Sequence, residues 1–339
     1  MKAVVYRGRR QVAVEDRPVP ACGNGEVLIR VRMAGVCGTD LSIVAGQHPR
    51  ARPGLVMGHE FVGTVHAVGA DVSSGIQPGA RVVVEPLISC GRCYACRSGF
   101  AHVCERLGLY GIDADGAFAE FVKVSQDKVF AVPDELPDTA AALIEPLAVA
   151  VHAVRLSALK IGDAACVLGG GPIGLLTALV AREAGLQALT LVEPQPYRLA
   201  LARQFGIATL DPAQCDVDQT IRQQTGGRGV AVVFEAAGAP DAVLLAPRLC
   251  CVRGQVVQIA IPKTPREMDL VALTFKELNM VGVRVYDAHD FERAIALAAR
   301  LGNDLEKLAS PPYPLEHAGE AFGTAEQGDR ALKVVFGIG

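Results

Sequence analysis

The stretch Val167-Leu168-Gly169-Gly170-Gly171-Pro172-Ile173-Gly174 decides the fold class of this chain. It fits the pattern G-x-G-x-x-G, follows a run typical of a buried strand (164–168) and opens an apolar segment predicted to be a helix (173–184). Glycines at such a strand–turn–helix junction let the backbone approach a pyrophosphate at the helix N-terminus. We therefore predict a dinucleotide site here, with a plain tight turn as the alternative. The residues predicted to contact the dinucleotide are Gly169, Gly171, Pro172, Ile173 and Gly174.

A carboxylate follows the glycine pattern at the distance expected for a ribose contact. Glu193 ends the next predicted strand, 188–193, nineteen residues after Gly174. A carboxylate at that place accepts hydrogen bonds from the adenosine ribose hydroxyls and repels a 2′-phosphate. Arg198 is near enough in sequence to accept such a phosphate. We predict NAD as the cofactor in preference to NADP, and a solvated Glu193 is the alternative.

The rhythm of predicted elements changes near residue 148. Before it, short strands separated by Gly and Pro, with no long helix, predict a barrel-like β domain. These strands are 2–6, 26–34, 61–68, 81–84, 119–124 and 128–132. After it, alternating strands and helices predict a parallel sheet with right-handed crossovers. Its further elements are the helices 148–159, 196–205 and 241–249 and the strands 230–235 and 254–260. The tail contributes a helix at 291–301 and a last strand at 332–336, whose sheet the pattern alone does not decide.

Length and charge narrow the class of protein. The chain has 339 residues, half of them hydrophobic, and a net charge of −3. This length suits about two domains, and the absence of a basic run argues against nucleic acid or anionic membranes as partners. The uncharged stretch 164–181 is interrupted by the glycine pattern, so we predict no membrane span. No secretory signal is evident, and we expect a cytoplasmic protein.

Four of the ten cysteines lie in one fifteen-residue stretch. Cys90, Cys93, Cys96 and Cys104 have the spacing C-x2-C-x2-C-x7-C, and four thiolates satisfy tetrahedral zinc. An iron–sulfur cluster is the rival, although its spacing more often continues as C-x3-C-P. Unligated thiols are a third possibility. We favour a structural zinc with no open position, and hence with no chemistry of its own.

A second candidate metal site combines residues from two motifs. Cys37 lies in Cys37-Gly38-Thr39-Asp40, and about twenty residues later His59 and Glu60 are adjacent. A thiolate, an imidazole and a carboxylate leave zinc a fourth position for water or substrate, which is the catalytic arrangement. Asp40 is a candidate to orient His59. A buried free cysteine with two unrelated polar residues remains the alternative on these residues alone.

Glu145 places a carboxylate within the apolar run 140–154, where a charge needs a partner. Two interpretations stay open. Glu145 belongs to an active site, or it is a helix N-terminal residue favoured by the helix dipole, with Pro146 at the first helical position. His48 also stays open, because it lies between the Cys37 and His59 motifs.

Together these motifs resemble those of the zinc-dependent medium-chain dehydrogenase/reductase family, over essentially the whole chain. Within it the chain is most similar to the sorbitol, butanediol and threonine dehydrogenases. The resemblance implies a GroES-like β-barrel catalytic domain (1–146 and 287–339, with a zinc lobe at about 88–106) interrupted by a Rossmann domain (147–286). It also implies a return of the tail to the barrel domain.

The same resemblance implies roles for individual residues. Cys37, His59 and Glu60 would hold a catalytic zinc, with Glu145 beside the metal or its water, as a direct ligand or not. Thr39 matches the hydroxyl next to the substrate oxygen. Relatives often carry a proton-relay histidine where this chain has Ser42, so Ser42, a ribose hydroxyl, His48 or water would complete the relay. Arg284 resembles a position near the nicotinamide.

These residues predict reversible oxidation of a secondary alcohol (a polyol, sugar alcohol or diol) with NAD and two zinc ions, one catalytic and one structural. A simple primary-alcohol dehydrogenase is the first alternative, and a non-catalytic NAD(H)-binding protein on the same scaffold is the second. The family often forms dimers or tetramers, so we expect a homodimer or homotetramer.

Overall fold

The computed structural model describes residues 1–339, which form two compact units. The first unit contains Met1–Glu145 and Asp287–Gly339, and the second contains Pro146–Tyr286. No helix combines the length and the apolar character that crossing a membrane requires.

Short strands dominate the chain before residue 145. They are β1 (Lys2–Gly8), β2 (Gln11–Asp16), β3 (Glu26–Gly35), β4 (Glu60–Val68), β5 (Arg81–Val84), β6 (Leu87–Ile88), β7 (Gly108–Leu109), β8 (Phe121–Ser125) and β9 (Val129–Ala131). The helices of this part are α1 (Gly38–Val44), α2 (Tyr94–Arg97) and α3 (Asp138–Ala141), and α4 (Ile144–Leu156) leads into the second unit.

The second unit alternates strands and helices. Its strands are β10 (Ala164–Leu168), β11 (Ala188–Val192), β12 (Ala208–Leu210), β13 (Val230–Glu235), β14 (Cys250–Gln258) and β15 (Asn279–Gly282). Its helices are α5 (Pro172–Glu183), α6 (Pro196–Gln204), α7 (Val217–Gln224), α8 (Pro240–Leu249) and α9 (Leu270–Phe275). The strands are all parallel, in the order β12-β11-β10-β13-β14-β15. The chain adds β11 and β12 on one side of β10 and then crosses to the other side of β10 to add β13, β14 and β15. This doubly wound order confirms the predicted parallel α/β sheet.

The tail of the chain belongs to the first unit. It comprises α10 (Ala288–Glu306), α11 (Ala318–Gln327) and β16 (Val335–Gly337). Strand β16 pairs antiparallel with β3, and β3 also pairs with β4 and β8. The last strand therefore lies at one edge of the first unit's six-stranded antiparallel sheet, which has the order β16-β3-β4-β5-β9 with β8 also paired to β3.

The pattern of buried side chains differs between the parallel sheet of the second unit and the antiparallel sheet of the first. In the second unit the central strands are apolar on both faces, and a core including Cys166, Val233 and Val256 lies within the sheet and its covering helices. In the first unit β3 buries Val27, Leu28, Ile29 and Val31, whereas its Arg30 and Arg32 are exposed. Alternation between core and solvent is what an antiparallel strand with one wet face requires.

Several predicted boundaries were wrong. Helix α4 begins at Ile144 rather than at residue 148, because a proline such as Pro146 is tolerated in the first turn of a helix. Strand β14 begins at Cys250 rather than at 254, and its pairing with β13 shifts register between Val230 and Val232. Helix α10 is longer at both ends than the predicted 291–301.

Candidate active site

Cys37 lies at the start of α1, directly after the strand β3 has ended. The carboxylate of Asp40 accepts a hydrogen bond from the backbone N–H of Cys37, at 2.8 Å, and so caps the first turn of the helix. Asp40 is fully buried, whereas Cys37 and Thr39 are partly exposed. The Cys-Gly-Thr-Asp sequence thus forms a turn in which the thiol and the Thr39 hydroxyl remain accessible.

His59 and Glu60 converge because the chain turns immediately before β4. Gly58 has a positive φ of 96°, and a Cβ there would lie 2.5 Å from the ring of Phe118. Only glycine suits this turn. His59 therefore precedes the strand, and Glu60 is its first residue. Neighbours within a regular strand would have faced opposite sides of the sheet.

The structure brings Cys37, His59 and Glu60 together. One ligand atom of each, the Sγ, a ring nitrogen and a carboxylate oxygen, lies within 4.8 Å of the others. His59 and Glu60 are only 3% and 1% exposed. The Nδ1 of His59 has no hydrogen-bond partner and lies 3.8 Å from Oδ1 of Asp40, which also has none.

The charges around His59 favour a cation. Burial lowers the pKa of His59, but the negative charges of Asp40 and Cys37 outweigh that effect and raise it well above its usual value. A buried pocket that concentrates anionic sulfur and oxygen donors around an imidazole fits a divalent metal of the zinc type. The residues present therefore fit the zinc that the sequence predicts.

Glu145 lies in the first turn of α4 and is 93% buried, since it is only 7% exposed. It is not part of the three-residue ligand cluster. Its charge acts on the nearby Lys333, whose pKa it helps to raise. Glu145 is thus close to the cluster without belonging to it.

The two candidates for a proton relay differ in their settings. Ser42 is partly buried within α1, on the same short helix as Thr39. His48 follows that helix, and its Nδ1 accepts a hydrogen bond from the backbone N–H of Ala51 at 3.3 Å. Burial and the positive charge of Arg50 lower the pKa of His48. When the ring of His48 is neutral, this hydrogen bond to Nδ1 places the proton on Nε2.

Cys90, Cys93, Cys96 and Cys104 form a second cluster, with all four sulfurs within 4.8 Å of one another. None of the ten cysteines forms a disulfide. Backbone N–H groups of Arg92 and Cys93 lower the pKa of Cys90 to about 6, whereas desolvation raises that of Cys96 to about 12. Four sulfurs suit the closed, four-coordinate ligand set of a structural zinc, whose binding would release the proton of Cys96.

The glycine pattern forms a tight turn between β10 and α5. Gly171 precedes the helix, and Pro172 occupies its first position, with Ile173 next. A Cβ at Gly174 would lie 1.8 Å from the carbonyl oxygen of Gly169, so the turn and the helix pack without room for a side chain. The free N–H groups at this helix start can receive a phosphate.

Glu193 is buried beside the glycine turn. Its carboxylate accepts hydrogen bonds from the backbone N–H groups of Gly170, at 2.7 Å, and Gln195, at 2.9 Å. Arg198 Nη1 lies 3.6 Å from Oε2 of Glu193 and 3.9 Å from the place of a Cβ on Gly171. The guanidinium is therefore close to both the Glu193 carboxylate and the glycine turn.

Arg284 stands apart from this group. It is exposed and lies two residues after β15, at the carboxyl edge of the sheet. Strands β13 and β14 separate β15 from the strand that leads into the glycine turn. Arg284 is thus on the same carboxyl edge of the sheet as the glycine turn, after the third strand beyond β10.

Four buried charged residues were not predicted from the sequence, namely Glu85, Glu235, Asp290 and Lys333. Lys333 is 3% exposed and forms an ion pair with Glu60. Glu235, at the end of β13, accepts hydrogen bonds from the backbone N–H groups of Ala237 and Gly238 and from Gln258. Glu235 could have been noticed as a carboxylate ending an apolar strand. Lys333 sits in an ordinary strand-like run, and nothing local indicates its partner.

Comparisons with known proteins match one domain family to each of these two parts of the chain. The alcohol dehydrogenase GroES-like domain family matches residues 23–134, and the zinc-binding dehydrogenase family matches residues 172–300. The chain is 37% identical over 336 residues to the 2-dehydro-3-deoxy-L-galactonate 5-dehydrogenase of Pseudoalteromonas atlantica, covering 99% of this chain and 98% of that protein. It is 33% identical to the sorbitol dehydrogenase of Bacillus subtilis, covering 99% and 96%.

Solved structures give the same result. A zinc-binding dehydrogenase from Sinorhizobium meliloti bound to NADP superposes with a TM-score of 0.93 at 34% identity, covering 99% of this chain and 98% of that one. The 2R,3R-butanediol dehydrogenase of Bacillus subtilis superposes with a TM-score of 0.91 at 31% identity, covering 99% of each chain.

Proposed function

Because the chain belongs to the zinc-dependent medium-chain dehydrogenase/reductase family, we propose that it transfers a hydride between a secondary alcohol and NAD. The alcohol is a polyol, a sugar alcohol or a diol. The observation that carries the proposal is the convergence of Cys37, His59 and Glu60 in a buried pocket.

Each residue of the first unit has a role in this proposal. Cys37, His59 and Glu60 would hold the metal, and Asp40, whose Oδ1 lies 3.8 Å from Nδ1 of His59, orients that ring. Zinc bound there supplies Lewis acidity towards the substrate oxygen. The Thr39 hydroxyl takes the alcohol proton, and Ser42 or His48 carries it towards solvent. Glu145 accepts a hydrogen bond from a second, vicinal hydroxyl, which favours a polyol or diol over ethanol.

Residues of the second unit hold the cofactor. The backbone from Gly169 to Gly174 and the start of α5 bind the pyrophosphate, and Glu193 receives the ribose hydroxyls. Arg198 is paired with Glu193, so a 2′-phosphate would have to approach a carboxylate. NAD is accordingly preferred to NADP, although a similar protein binds NADP. Arg284 is assigned to the nicotinamide end. The cofactor supplies the hydride acceptor.

The four cysteines of the lobe hold a second zinc whose role is structural. Its four protein ligands leave no position for substrate. This ion stabilises a segment that has only short elements, α2 and the β6–β7 pair, to support it.

The test is a substrate panel assayed with NAD and NADP in parallel. It contains sugar alcohols, vicinal diols, aldonic acids and simple primary alcohols. The proposal requires turnover of a vicinal polyhydroxy substrate with NAD, and its loss after treatment with a chelator, with recovery on adding zinc. Faster turnover of ethanol than of any diol would favour a simple alcohol dehydrogenase. NADH binding with no metal at Cys37 and no turnover would identify a non-catalytic binding protein.

A further inference from the structure

Lys333 is a buried cation beside the proposed metal ligands. It is 3% exposed, and its Nζ forms an ion pair with Oε2 of Glu60. Its backbone is fixed as well, because its N–H donates to the carbonyl of Leu308 at 2.9 Å and its own carbonyl accepts from Ser310 at 2.8 Å. A buried ammonium needs a fixed counter-charge, and Glu60 supplies it.

The space for this pair is created by Gly35. A Cβ at Gly35 would lie 2.7 Å from Oε2 of Glu60 and 3.0 Å from Cε of Lys333. Gly35 is paired with Glu60 on one side and with Val335 on the other. The missing side chain at Gly35 therefore leaves a gap, which the carboxylate of Glu60 and the aliphatic part of Lys333 fill together.

The acidic groups near Lys333 favour its ammonium form. Burial lowers the pKa of Lys333, but Glu60 and Cys37 raise it by more, and Glu145 adds to the effect. The groups that raise the pKa of Lys333, which are Glu60, Cys37 and Glu145, are all acids. Lys333 therefore neutralises one of the anionic groups that would otherwise all face the metal.

We propose that Lys333 is a positioning residue for the metal centre, which withholds Oε2 of Glu60 from the ligand set and so keeps Glu60 a single-oxygen ligand. A carboxylate that binds zinc through both oxygens would occupy the position that the substrate oxygen needs. The inference rests on the proposed function, since it requires a metal at Cys37, His59 and Glu60. It adds the residue that keeps one position of that metal open.

The direction of the effect follows from charge. Without the ammonium, both Glu60 oxygens are free for the cation, and a positive charge that repels the metal is gone. In the metal-free protein, Glu60 would be left buried and unpaired. Both changes favour the metal-bound state, so removing Lys333 should tighten metal binding while impairing substrate entry.

The experiment compares Lys333→Met, Lys333→Arg and Lys128→Met in the full chain. Lys128 is a matched control, since it forms a largely buried ion pair with Glu85 at 2.9 Å outside the ligand cluster. The readout is the rate at which a chelator removes the metal that is not held by the four-cysteine lobe. We expect Lys333→Met to release it at least about ten-fold more slowly, and the two other variants to resemble the wild type.

A second readout separates a positioning role from a purely structural one. Metal should raise the unfolding temperature of Lys333→Met by more than it raises that of the wild type, because the metal-free variant alone has an unpaired Glu60. A general loss of packing would lower the unfolding temperatures of the metal-free and the metal-bound variant equally. If Lys333→Met does not fold even with metal, Lys333→Gln, which keeps the length of the side chain, is measured in the same way.

The outcomes are distinguishable. Wild-type or faster release from a folded Lys333→Met or Lys333→Gln, with an unchanged metal-dependent rise in unfolding temperature, overturns the role of Lys333 and leaves the proposed function standing. If the wild type takes up no metal beyond the four-cysteine lobe, the proposed function itself fails.

Discussion

Cys37 contributes the only thiol to the ligand cluster of the first unit. Replacing it with alanine removes one of three protein ligands, and an open site with two ligands does not retain zinc. We expect Cys37→Ala to lower kcat/KM by at least about 10³-fold while leaving NADH affinity within about two-fold of the wild type. Kinetic assays, cofactor fluorescence and elemental analysis measure these quantities.

The control for Cys37 is Cys22→Ala. Cys22 lies in the same unit and outside both clusters, and its thiol donates to the backbone carbonyls of Glu26 and Ala67. It should keep activity and metal content. Full activity in Cys37→Ala would contradict the assigned metal chemistry.

Glu193 is the residue that we propose sets the choice of cofactor in the second unit. Glu193→Gln keeps the size of the side chain and one acceptor oxygen, but removes the charge that opposes a 2′-phosphate and that engages Arg198. We expect the ratio of kcat/KM for NAD over NADP to fall by about 10-fold or more. Parallel kinetics with the two cofactors measure this ratio.

Arg198 provides the companion variant. If the released guanidinium is what accepts the phosphate, Glu193→Gln with Arg198→Ala should lose the gain with NADP. A double variant that keeps the gain would show that Arg198 takes no part.

At the scale of elements, the glycine turn packs closely against α5 because Gly174 has no side chain. A Cβ there would lie 1.8 Å from the carbonyl oxygen of Gly169, and backbone atoms on both sides cannot yield easily. We expect Gly174→Ala to weaken NADH binding by more than about ten-fold and to lower the unfolding temperature. Cofactor titration and thermal unfolding test this.

Gly323 offers a contrasting substitution in a helix. It lies within α11, and a Cβ there would meet nothing within 4 Å. Gly323→Ala should raise stability by about 0.5–1 kcal/mol, because alanine loses less backbone entropy in a helix. If both substitutions have the same effect, close packing at Gly174 is not the reason for the glycine.

The four-cysteine lobe is a second element whose role can be isolated. Cys93→Ser removes one of its four sulfurs and should release the structural metal. We expect the unfolding temperature to fall by about 5 °C or more, with kcat/KM of the folded protein within about three-fold of the wild type. Cys251→Ser, at a cysteine outside both clusters, is the control. A collapse of kcat/KM without a loss of stability would contradict a structural role.

How far sequence predicts these elements depends on what marks them. Strand β10, the glycine turn and the start of α5 were predicted to within a residue, because an apolar run and a glycine pattern mark them together. Helix α7 was missed because only Val217 and Ile221 on it are buried, and its other residues are polar. Local pattern cannot show a helix that is held mainly by its neighbours.

The candidate site shows the same limit. The Cys37, His59 and Glu60 ligands lie in two motifs whose residue types suggested a metal, and the structure brings them together. Lys333 was not foreseen, because its partner Glu60 is 273 residues away in the chain and only the pairing of β16 and β4 with β3 makes them neighbours. Contacts of this kind depend on topology rather than on spacing.

At the scale of the whole molecule, the second unit presents an uncovered apolar surface. The sheet ends at β15. The large hydrophobic side chains exposed on or next to β14, α9 and β15 are Val252, Ile261, Leu270, Val271, Phe275 and Met280. An exposed edge strand with apolar neighbours is normally covered. A second copy can cover it by pairing its own β15 about a two-fold axis.

We expect the protein to be a dimer or a tetramer assembled through this surface. Phe275→Glu combined with Met280→Glu should reduce the mass measured by light scattering, because burying four like charges across a two-fold interface is unfavourable. Ile161→Lys is the control, since Ile161 is 89% exposed and lies away from β15 in the sequence. A monomeric wild type would refute this assembly.

The return of the chain to β3 has a consequence for biosynthesis. Ribosomes make Cys37, His59 and Glu60 early, but the segment with Lys333, two residues before β16, emerges only after the entire second unit. Until then β3 lacks one neighbour, and Glu60 has no counter-charge in the nascent chain. The second unit is one continuous segment and can fold as soon as it is made. The first unit consists of two segments, so its sheet keeps an open edge until the second of them is made. This interval is when zinc capture and chaperone contact would compete for the same unfinished half of the protein.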